Sequence, residues 1–297
     1  EGWYMIYSPL RYPGGKGKLS SFMEVLIRKT GHMNGTYIEP FAGGAGIAIN
    51  LLLNNIVSKI VINDLDKGIY SFWRAILTET DRFVSDILSV PLNMDEWNRQ
   101  RVIYMEKSQK YSYDLGFATF YLNRTNRSGI IKGGVIGGKE QSGRWKMDAR
   151  FNRNGLIKRV QEIAKRKKSI YVYNKDINSF LIHYAPKYFN NALIYFDPPY
   201  YTKGHELYMN FFRYTDHVRI SEQISQLNVD WIITYDIRDE ILNLYRDREC
   251  RKLACSYSAG TKKTVDEVMI FRRNDMIPTE LELSTCEGHT LLHNVID

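Results

Sequence analysis

The sequence contains little cysteine and no long apolar run. Three cysteines in 297 residues cannot build a disulfide framework, so they indicate a reducing compartment such as the cytoplasm. No apolar stretch reaches the roughly 18 residues of a membrane-spanning helix. The N-terminus also lacks the basic-then-apolar order of a signal peptide. We therefore expect a cytoplasmic protein with no membrane partner.

Two common nucleotide-binding patterns are also absent. Residues 13–18 resemble a phosphate-binding loop, but Tyr12 stands where that motif needs its first glycine, and Leu19 stands where it needs Ser or Thr. The glycine-rich residues 39–46 lack the G-x-G-x-x-G spacing, which argues against NAD as a ligand. The sequence therefore predicts neither a phosphate-binding loop nor an NAD site.

What the sequence does contain is an alternation of short apolar runs with helical stretches. Hydrophobic residues make up 44% of the chain, enough for a sizeable core. The pattern predicts a doubly wound α/β fold with a mostly parallel sheet. The predicted strands are residues 36–38, 59–62, 169–173, 192–196 and 231–234, with a closing hairpin at 250–257 and 264–271. After about residue 275 the sheet pattern stops and a polar tail is expected.

Positive charge is concentrated in one segment. Residues 122–168 hold 14 Lys and Arg against three acids, a balance of +11, whereas the whole chain carries +8, which leaves −3 for the rest. Lysine and arginine bind phosphates regardless of base sequence. The segment therefore predicts a nucleic-acid-binding surface, with a solvated basic surface as the alternative.

Two features predict a cofactor site. Residues 39–46 (EPFAGGAG) place glycines where a strand turns into a helix, so that a ligand can approach the backbone and the helix amides. Asp64 follows the next strand, where a carboxylate can accept both hydroxyls of a ribose. A plain strand-to-helix turn is the alternative for the glycine-rich stretch alone.

The tetrapeptide Asp197-Pro198-Pro199-Tyr200 ends an apolar strand and predicts the catalytic site. An amine on a planar ring is a poor nucleophile because its lone pair is delocalised. The Asp197 carboxylate and the Pro198 carbonyl, stiffened by two fixed proline φ angles, can hold both N–H groups and free that lone pair. Tyr200 offers a ring for base stacking. A strand-ending Asp-Pro turn is the alternative.

These motifs together resemble the Dam-type (D12 class, alpha group) N6-adenine DNA methyltransferases. The likeness extends over roughly residues 8–272, and several separate motifs occur in the family's order. They are residues 12–16 (aromatic-x-Gly-Gly-Lys), 39–46, Asn63 with Asp64, residues 121–124 (YLNR), 143–146 (GRWK), 197–200 (DPPY), and 260–263 with 265–267 (GTKK and VDE).

The resemblance implies a class I S-adenosylmethionine-dependent methyltransferase fold, Rossmann-like, with a seven-stranded mostly parallel sheet and an inserted DNA-recognition domain. We place the catalytic domain at residues 5–75 and 166–275, the recognition domain at 76–165 and a tail at 276–297. S-adenosylmethionine is the implied methyl donor, and no metal is needed. The implied cofactor-binding residues are Tyr12, Lys16, Phe41, Gly43, Asp64, Asp176 and Asp197. For Asp176, a helix cap on Ser179 is the alternative.

The implied substrate is adenine N6 in a specific double-stranded DNA sequence, reached by flipping the base out of the helix. The DNA contacts are assigned to Asn123, Arg124, Asn126, Arg127, Arg144 and Lys146. Residues 128–134 differ from the corresponding element of the family members that recognise GATC. We therefore do not expect this protein to recognise GATC. A cognate restriction or defence enzyme is a candidate partner, and a monomer or weak dimer is expected. The alternatives are cytosine N4, RNA adenine, or a DNA-binding module without catalysis.

Overall fold

The computed structural model describes residues 7–11, 19–106, 111–201, 212–254, 267–284 and 291–295. Its strands belong to one sheet. They are β1 (Thr36–Glu39), β2 (Lys59–Asn63), β3 (Ile170–Tyr173), β4 (Ala192–Phe196), β5 (Asp230–Asp236), β6 (Glu249–Ala254), β7 (Glu267–Phe271) and β8 (Leu291–Asn294).

The sheet has eight strands in the order β3-β2-β1-β4-β5-β7-β6-β8. Strands β1 to β5 are all parallel, and β7 lies antiparallel between β5 and β6. The central strands β4 and β5 are buried along their whole length, as apolar strands of a sheet covered on both faces should be. The predicted class I methyltransferase architecture and its closing hairpin are confirmed.

The polar tail predicted after residue 275 is wrong in part. The short helix α11 (Glu280–Leu283) and strand β8 lie in this region. Strand β8 pairs antiparallel with β6, where Leu253 lies opposite Leu292. The sheet thus gains an eighth strand on its outer edge. Four residues are too short a stretch for a reliable alternation pattern, so β8 could not be predicted from the sequence.

Helices cover both faces of the sheet. They are α1 (Ser20–Thr30), α2 (Gly46–Leu53), α3 (Lys67–Thr78), α4 (Thr80–Ser89), α5 (Met94–Met105), α6 (Tyr113–Thr125), α7 (Arg153–Lys165), α8 (Ile177–Ser179), α9 (Tyr214–Ser225) and α10 (Asp239–Leu244). Side-chain caps define several of their starts. For example, Asp66 accepts hydrogen bonds from the main-chain N–H groups of Gly68 and Ile69 at the start of α3.

One hydrophobic cluster lies on each face of the sheet. Helices α1 to α7 pack on one side, where Phe72 and Phe120 join the same cluster as Tyr195 of the sheet. Helices α9 and α10 pack on the other side, through Ile220 and Ile241. The side chains of the predicted recognition domain therefore share a core with the sheet. The division of the chain into domains remains a prediction.

Candidate active site

The predicted site residues follow neighbouring parallel strands. Phe41 follows β1, Asp64 follows β2 and Asp197 follows β4. Because carboxyl ends of parallel strands share one edge, the fold brings these side chains to the same edge of the sheet. The chain crosses from β1 to α2 on one face and from β4 to α9 on the other, which makes the β1–β4 boundary a topological switch point. Open α/β sheets bind ligands in this crevice.

The glycine-rich turn after β1 is held rigidly. Gly43 and Ala45 have positive φ angles of 46° and 44°, a region that non-glycine residues rarely adopt. The Gly43 N–H donates to Oδ2 of Asp64 at 2.8 Å, and Nε1 of buried Trp73 donates to the Gly43 carbonyl at 3.0 Å. The buried carboxylate of Glu39 accepts a main-chain N–H in the first turn of α2. The turn therefore has one fixed shape before any ligand arrives.

Asp64 also organises the end of β2. Its Oδ1 accepts the main-chain N–H of Asp66 at 2.8 Å, so both of its oxygens bond to backbone. Asn63, buried beside it, donates from Nδ2 to the Pro40 carbonyl at 3.1 Å. Asp176 accepts the N–H of Ser179 at 2.9 Å and caps α8, which is the structural alternative raised from the sequence. Its contact with the cofactor remains a prediction.

The side chain of Asp197 is hydrogen-bonded to the neighbouring strand. The Thr234 hydroxyl on β5 donates to Oδ1 of Asp197 at 3.2 Å. The Tyr195 hydroxyl lies 2.9 Å from the same Thr234 oxygen. Thr234 and Tyr195 are buried, whereas Asp197 is partly exposed. The carboxylate thus lies at the border between the sheet and solvent.

Two acids hold the rest of the DPPYY segment. Oδ1 of Asp236, at the end of β5, accepts the main-chain N–H of Tyr201 at 2.9 Å. The Tyr200 hydroxyl donates to Glu267, the first residue of β7. Pro198 and Pro199, which precede these two tyrosines, are buried. Three strands therefore hold the tetrapeptide, since it follows β4 directly, Thr234 of β5 bonds to Asp197 and Glu267 of β7 bonds to Tyr200.

A cluster of aromatic rings lies next to this segment. Phe41 and Phe212 meet edge to face at 5.9 Å between ring centroids, and Phe212 in turn contacts His217 at 5.4 Å. His217 is fully buried and its Nδ1 lies 3.0 Å from the Tyr235 hydroxyl. Burial lowers the pKa of His217, so the ring is neutral at physiological pH. The rings join Phe41 to Tyr201, which packs on His217 at 5.7 Å.

Sequence reasoning missed Thr234, Asp236 and His217. A threonine or aspartate at the end of a strand has no distinctive spacing, and a buried histidine looks like any core residue. A signal existed only for Asp236, which follows the apolar run of β5 much as Asp197 follows that of β4. Tyr12 and Lys16 of the predicted cofactor site lie outside the described residues.

Three of the predicted DNA-binding residues are buried at the end of α6. The Asn123 amide exchanges hydrogen bonds with the Arg11 main chain, at 2.7 Å to both the N–H and the carbonyl. Asn126 accepts from Trp97 Nε1 at 2.7 Å and donates to the carbonyls of Ile130 and its neighbours. These amides therefore tie the N-terminal segment and the following loop to α6.

Buried Arg124 lies among other arginines. Its Nε donates to the Pro9 carbonyl at 2.6 Å. Burial and the charges of Arg159, Arg11 and Arg150 lower the pKa of its guanidinium. These four arginines are hereafter called the arginine cluster. Arg11, Arg124 and Arg159 each donate to a main-chain carbonyl, and one of these carbonyls is that of Arg150. No ion pair joins any of them to an acid within the described ranges.

The remaining predicted DNA-binding side chains are exposed. Arg127 projects from the turn after α6, and Arg144 and Lys146 flank Trp145, which is 65% exposed. The Arg144 guanidinium lies over the Trp145 ring at 5.4 Å. An exposed large aromatic ring between cations presents both a stacking face and positive charge to solvent.

No group of three or more His, Cys, Asp or Glu side chains in the described ranges is arranged to hold a metal ion. Among the helices of those ranges, none is both long and apolar enough to cross a bilayer.

Comparisons with known proteins agree with the geometry. The model of the D12 class N6 adenine-specific DNA methyltransferase family matches residues 12–263. This description names adenine in DNA. It therefore does not favour the alternatives of a cytosine N4 target, an RNA adenine target or a DNA-binding module without catalysis. The type II methyltransferase M.MjaIII of Methanocaldococcus jannaschii is 25% identical over 205 residues, covering 64% of this chain and 68% of that protein.

Solved structures show a weaker likeness. One structure of the rRNA methyltransferase aviRa from Streptomyces viridochromogenes has a TM-score of 0.38 at 10% identity, covering 92% of each chain. A second structure of it has a TM-score of 0.33 at 11% identity, covering 90% of this chain and 88% of the other. Likeness at this level says nothing about substrate. On the family match, which spans most of its length, the chain belongs to the D12 class N6 adenine-specific DNA methyltransferases, enzymes that use S-adenosylmethionine as methyl donor.

Proposed function

We propose that Asp197 and the carbonyl of Pro198 hold the two N6 protons of an adenine flipped out of double-stranded DNA. The observation that carries this assignment is the fixed position of Asp197 at the switch point, where Thr234 bonds its Oδ1. Accepting both N–H bonds localises the nitrogen lone pair so that it can attack. With the donor bound, N6 would form a bond to the methyl carbon as the carbon–sulfur bond breaks and leaves its electron pair on sulfur, and Asp197 would take the N6 proton.

S-adenosylmethionine supplies the methyl group on a positively charged sulfur. The residues at the switch point fit this donor, since the fixed turn at Gly43 and the partly exposed carboxylate of Asp64 are joined by a hydrogen bond at the ends of β1 and β2. Each Asp64 oxygen already accepts a main-chain N–H. A carboxylate oxygen accepts more than one hydrogen bond, so the same oxygens can receive the ribose hydroxyls. We assign Phe41, Tyr12 and Lys16 to the methionine end, and leave Asp176 to the adenine end.

Tyr200 is the residue we assign to stacking on the flipped adenine. Its hydroxyl is tethered to buried Glu267, which fixes the ring at one edge and leaves its face in place for a base. Stacking on an aromatic side chain contributes about 1–3 kcal/mol. Pro199, the residue before Tyr200, is buried, and its fixed φ angle limits how the chain can bend there.

For DNA binding we separate contact residues from supporting residues. Exposed Arg127, Arg144 and Lys146 are the proposed contacts. Buried Asn123 and Asn126 instead shape the loop that carries Arg127, because their amides bond to the main chain. The DNA contacts first predicted for these two asparagines and for Arg124 are thereby replaced in our proposal by a supporting role.

The arginine cluster is the proposed site for a DNA phosphate. Four cations repel one another unless an anion is near, and no acid pairs with them within the described ranges. Arg150 is exposed, and Arg11 and Arg159 are half-buried, so solvent can reach these three members of the cluster. A phosphodiester bound there would lie beside the N-terminal segment and the end of α6.

The setting of the reaction is also proposed. The relative is a type II methyltransferase, which favours restriction-modification, with a cognate restriction enzyme that recognises the same DNA sequence. We expect a monomer or weak dimer, because one active site acts on one flipped base. A cytoplasmic location fits a DNA substrate and the low cysteine content.

The proposed catalytic role is tested by Asp197→Ala. Transfer of isotope-labelled methyl to DNA should be lost, while binding of DNA in a mobility-shift assay should stay close to that of the wild type. Asp197→Asn is the matched variant, since it keeps the shape but loses the charge that accepts the proton. Methyl transfer at the wild-type rate by Asp197→Ala would contradict the assignment.

A further inference from the structure

Three polar side chains form a line across two buried strands. Tyr195 and Asp197 are two residues apart on the β4 side, so they point to the same face of the sheet. Thr234 lies next to them on β5, because Phe196 pairs with Ile233 in the parallel register. The Thr234 oxygen is 2.9 Å from the Tyr195 hydroxyl and 3.2 Å from Oδ1 of Asp197.

The direction of these hydrogen bonds follows from proton counting. A carboxylate has no proton and accepts only, so the Thr234 hydroxyl must give its single proton to Asp197. Thr234 then has only lone pairs to offer Tyr195, and the Tyr195 hydroxyl must be the donor. The line therefore has one polarity, from Tyr195 through Thr234 to Asp197.

A carboxylate needs such support to be well aligned. The terminal torsion of an aspartate side chain is broad, so the plane of the carboxylate rotates easily. A donor on one oxygen narrows that rotation and sets where the carboxylate's lone pairs point. Because reaction rates respond steeply to alignment of the reacting atoms, this orientation should appear in the rate of methyl transfer.

We propose that Thr234, itself oriented by Tyr195, is a positioning residue that sets the plane in which the Asp197 carboxylate meets the amine of the target base. The proposal rests on the proposed catalytic role of Asp197. The two residues touch neither donor nor substrate; they act through Asp197. Burial of Thr234 and Tyr195, at 0% and 3% exposed, keeps water from competing for these bonds.

The test compares Thr234→Val, which keeps the branched shape without the hydroxyl, with Thr234→Ser, which keeps the hydroxyl. Single-turnover rates of methyl transfer are measured at saturating DNA and donor, together with the dissociation constant for each and the melting temperature. We expect Thr234→Val to slow the chemical step about ten- to a hundredfold, as loss of a hydrogen bond to a charged group should. Thr234→Ser should restore most of the rate, with both dissociation constants near the wild-type values.

Tyr195→Phe supplies an independent arm that does not change Thr234. Alone it should slow methyl transfer less than Thr234→Val does. In the Thr234→Val background it should cost nothing more, because its effect passes through the missing hydroxyl. This non-additivity distinguishes a relay from two separate packing defects.

Several results would overturn the proposal. They are a wild-type rate for Thr234→Val, a rate for Thr234→Ser as low as that for Thr234→Val, or a further loss when Tyr195→Phe is added to Thr234→Val. If Thr234→Val fails to fold, a full rate for Tyr195→Phe overturns it instead. An active Asp197→Ala enzyme would refute the proposed function itself. An inactive Asp197→Ala beside a fully active Thr234→Val would refute only the positioning role.

Discussion

The carboxylate of Asp236 accepts the main-chain N–H of Tyr201 at 2.9 Å. This bond joins the end of β5 to the residue directly after the DPPY tetrapeptide. Asp236 is 5% exposed, so water cannot easily replace the carboxylate if it is removed. The position of the DPPY segment therefore depends on a side chain outside the segment.

The first prediction concerns this bond. Asp236→Ala leaves the Tyr201 N–H without its acceptor, which should cost about 1–3 kcal/mol of stability or let the segment move. We expect methyl transfer to fall at least about tenfold, as measured by initial rates on DNA. Asp236→Asn keeps an acceptor oxygen and should lose much less. Equal rates for the two variants would show that the hydrogen bond does not position the segment.

The second prediction tests the arginine cluster. Arg150→Gln removes one exposed cation, so the slope of log affinity for DNA against log salt should become shallower by about 1 if it contacts a phosphate. The measurement is a DNA-binding titration at several salt concentrations. Arg166→Gln is the control. Arg166 bonds to Asn55 at 2.9 Å, and because Asn55 precedes β2, this contact lies at the amino ends of the parallel strands, away from the predicted active site. A slope unchanged by Arg150→Gln would remove the cluster from the DNA surface.

The third prediction compares two helical glycines. A Cβ on Gly116 of α6 would lie 2.5 Å from the Ser71 carbonyl oxygen of α3, where backbone cannot yield. Gly116→Ala should therefore lower the free energy of unfolding by about 1–3 kcal/mol. A Cβ on Gly155 of α7 would meet only ordinary contacts, the nearest at 3.4 Å.

Gly155→Ala should accordingly raise the free energy of unfolding by about 0.4–1 kcal/mol, because it restricts the unfolded chain. Urea titrations of both variants measure the difference. If Gly116→Ala were as stable as Gly155→Ala, the close approach of α3 and α6 would be in error.

The fourth prediction is a pH dependence of stability. His32 Nε2 lies 3.0 Å from Oδ2 of Asp230. Burial alone would lower the pKa of His32, but hydrogen bonds to Asp230 and Asn191 outweigh it, and the pKa is raised. Burial opposes ionisation of Asp230 as well, but His32 and Arg273 hold its pKa well below the usual range.

The sign follows from these directions. A raised histidine pKa contributes stability below the unfolded value of about 6.5 that is lost as pH rises through the folded value. A depressed aspartate pKa contributes stability above about 4 that is lost as pH falls through the folded value. The free energy of unfolding of wild type relative to His32→Gln should therefore be greatest near pH 5 to 6, by less than about 1 kcal/mol given partial exposure. Urea titrations at about pH 5.5 and 8.5 measure it, and a pH-independent difference would contradict it.

Sequence reasoning was most successful where chemistry and local spacing coincide. The apolar run of β4 followed by Asp197, and the run of β2 followed by Asp64, predict strands that end in acids. Parallel pairing then brings those acids to one edge. The assignment of each residue to cofactor or base remains a prediction.

Contacts between distant parts of the chain could not be predicted from the sequence in the same way. Asn123 was predicted to contact DNA because it lies in a basic segment, yet its amide bonds to Arg11, which is 112 residues away. Thr234 acquires its contact with Asp197 only through the register of β5 on β4. Such contacts are set by how distant segments pack, and no spacing along the chain encodes them.

The reversed direction of β7 has a consequence for how the enzyme is made. Because β7 runs against β5, its first residue rather than its last reaches the edge where β4 ends. Tyr200 is thereby anchored to a side chain 67 positions later. The Tyr200 hydroxyl therefore cannot reach this anchor until the ribosome has synthesised the chain as far as β7. We expect the DPPY segment to take its final position late in synthesis, once β7 has paired with β5.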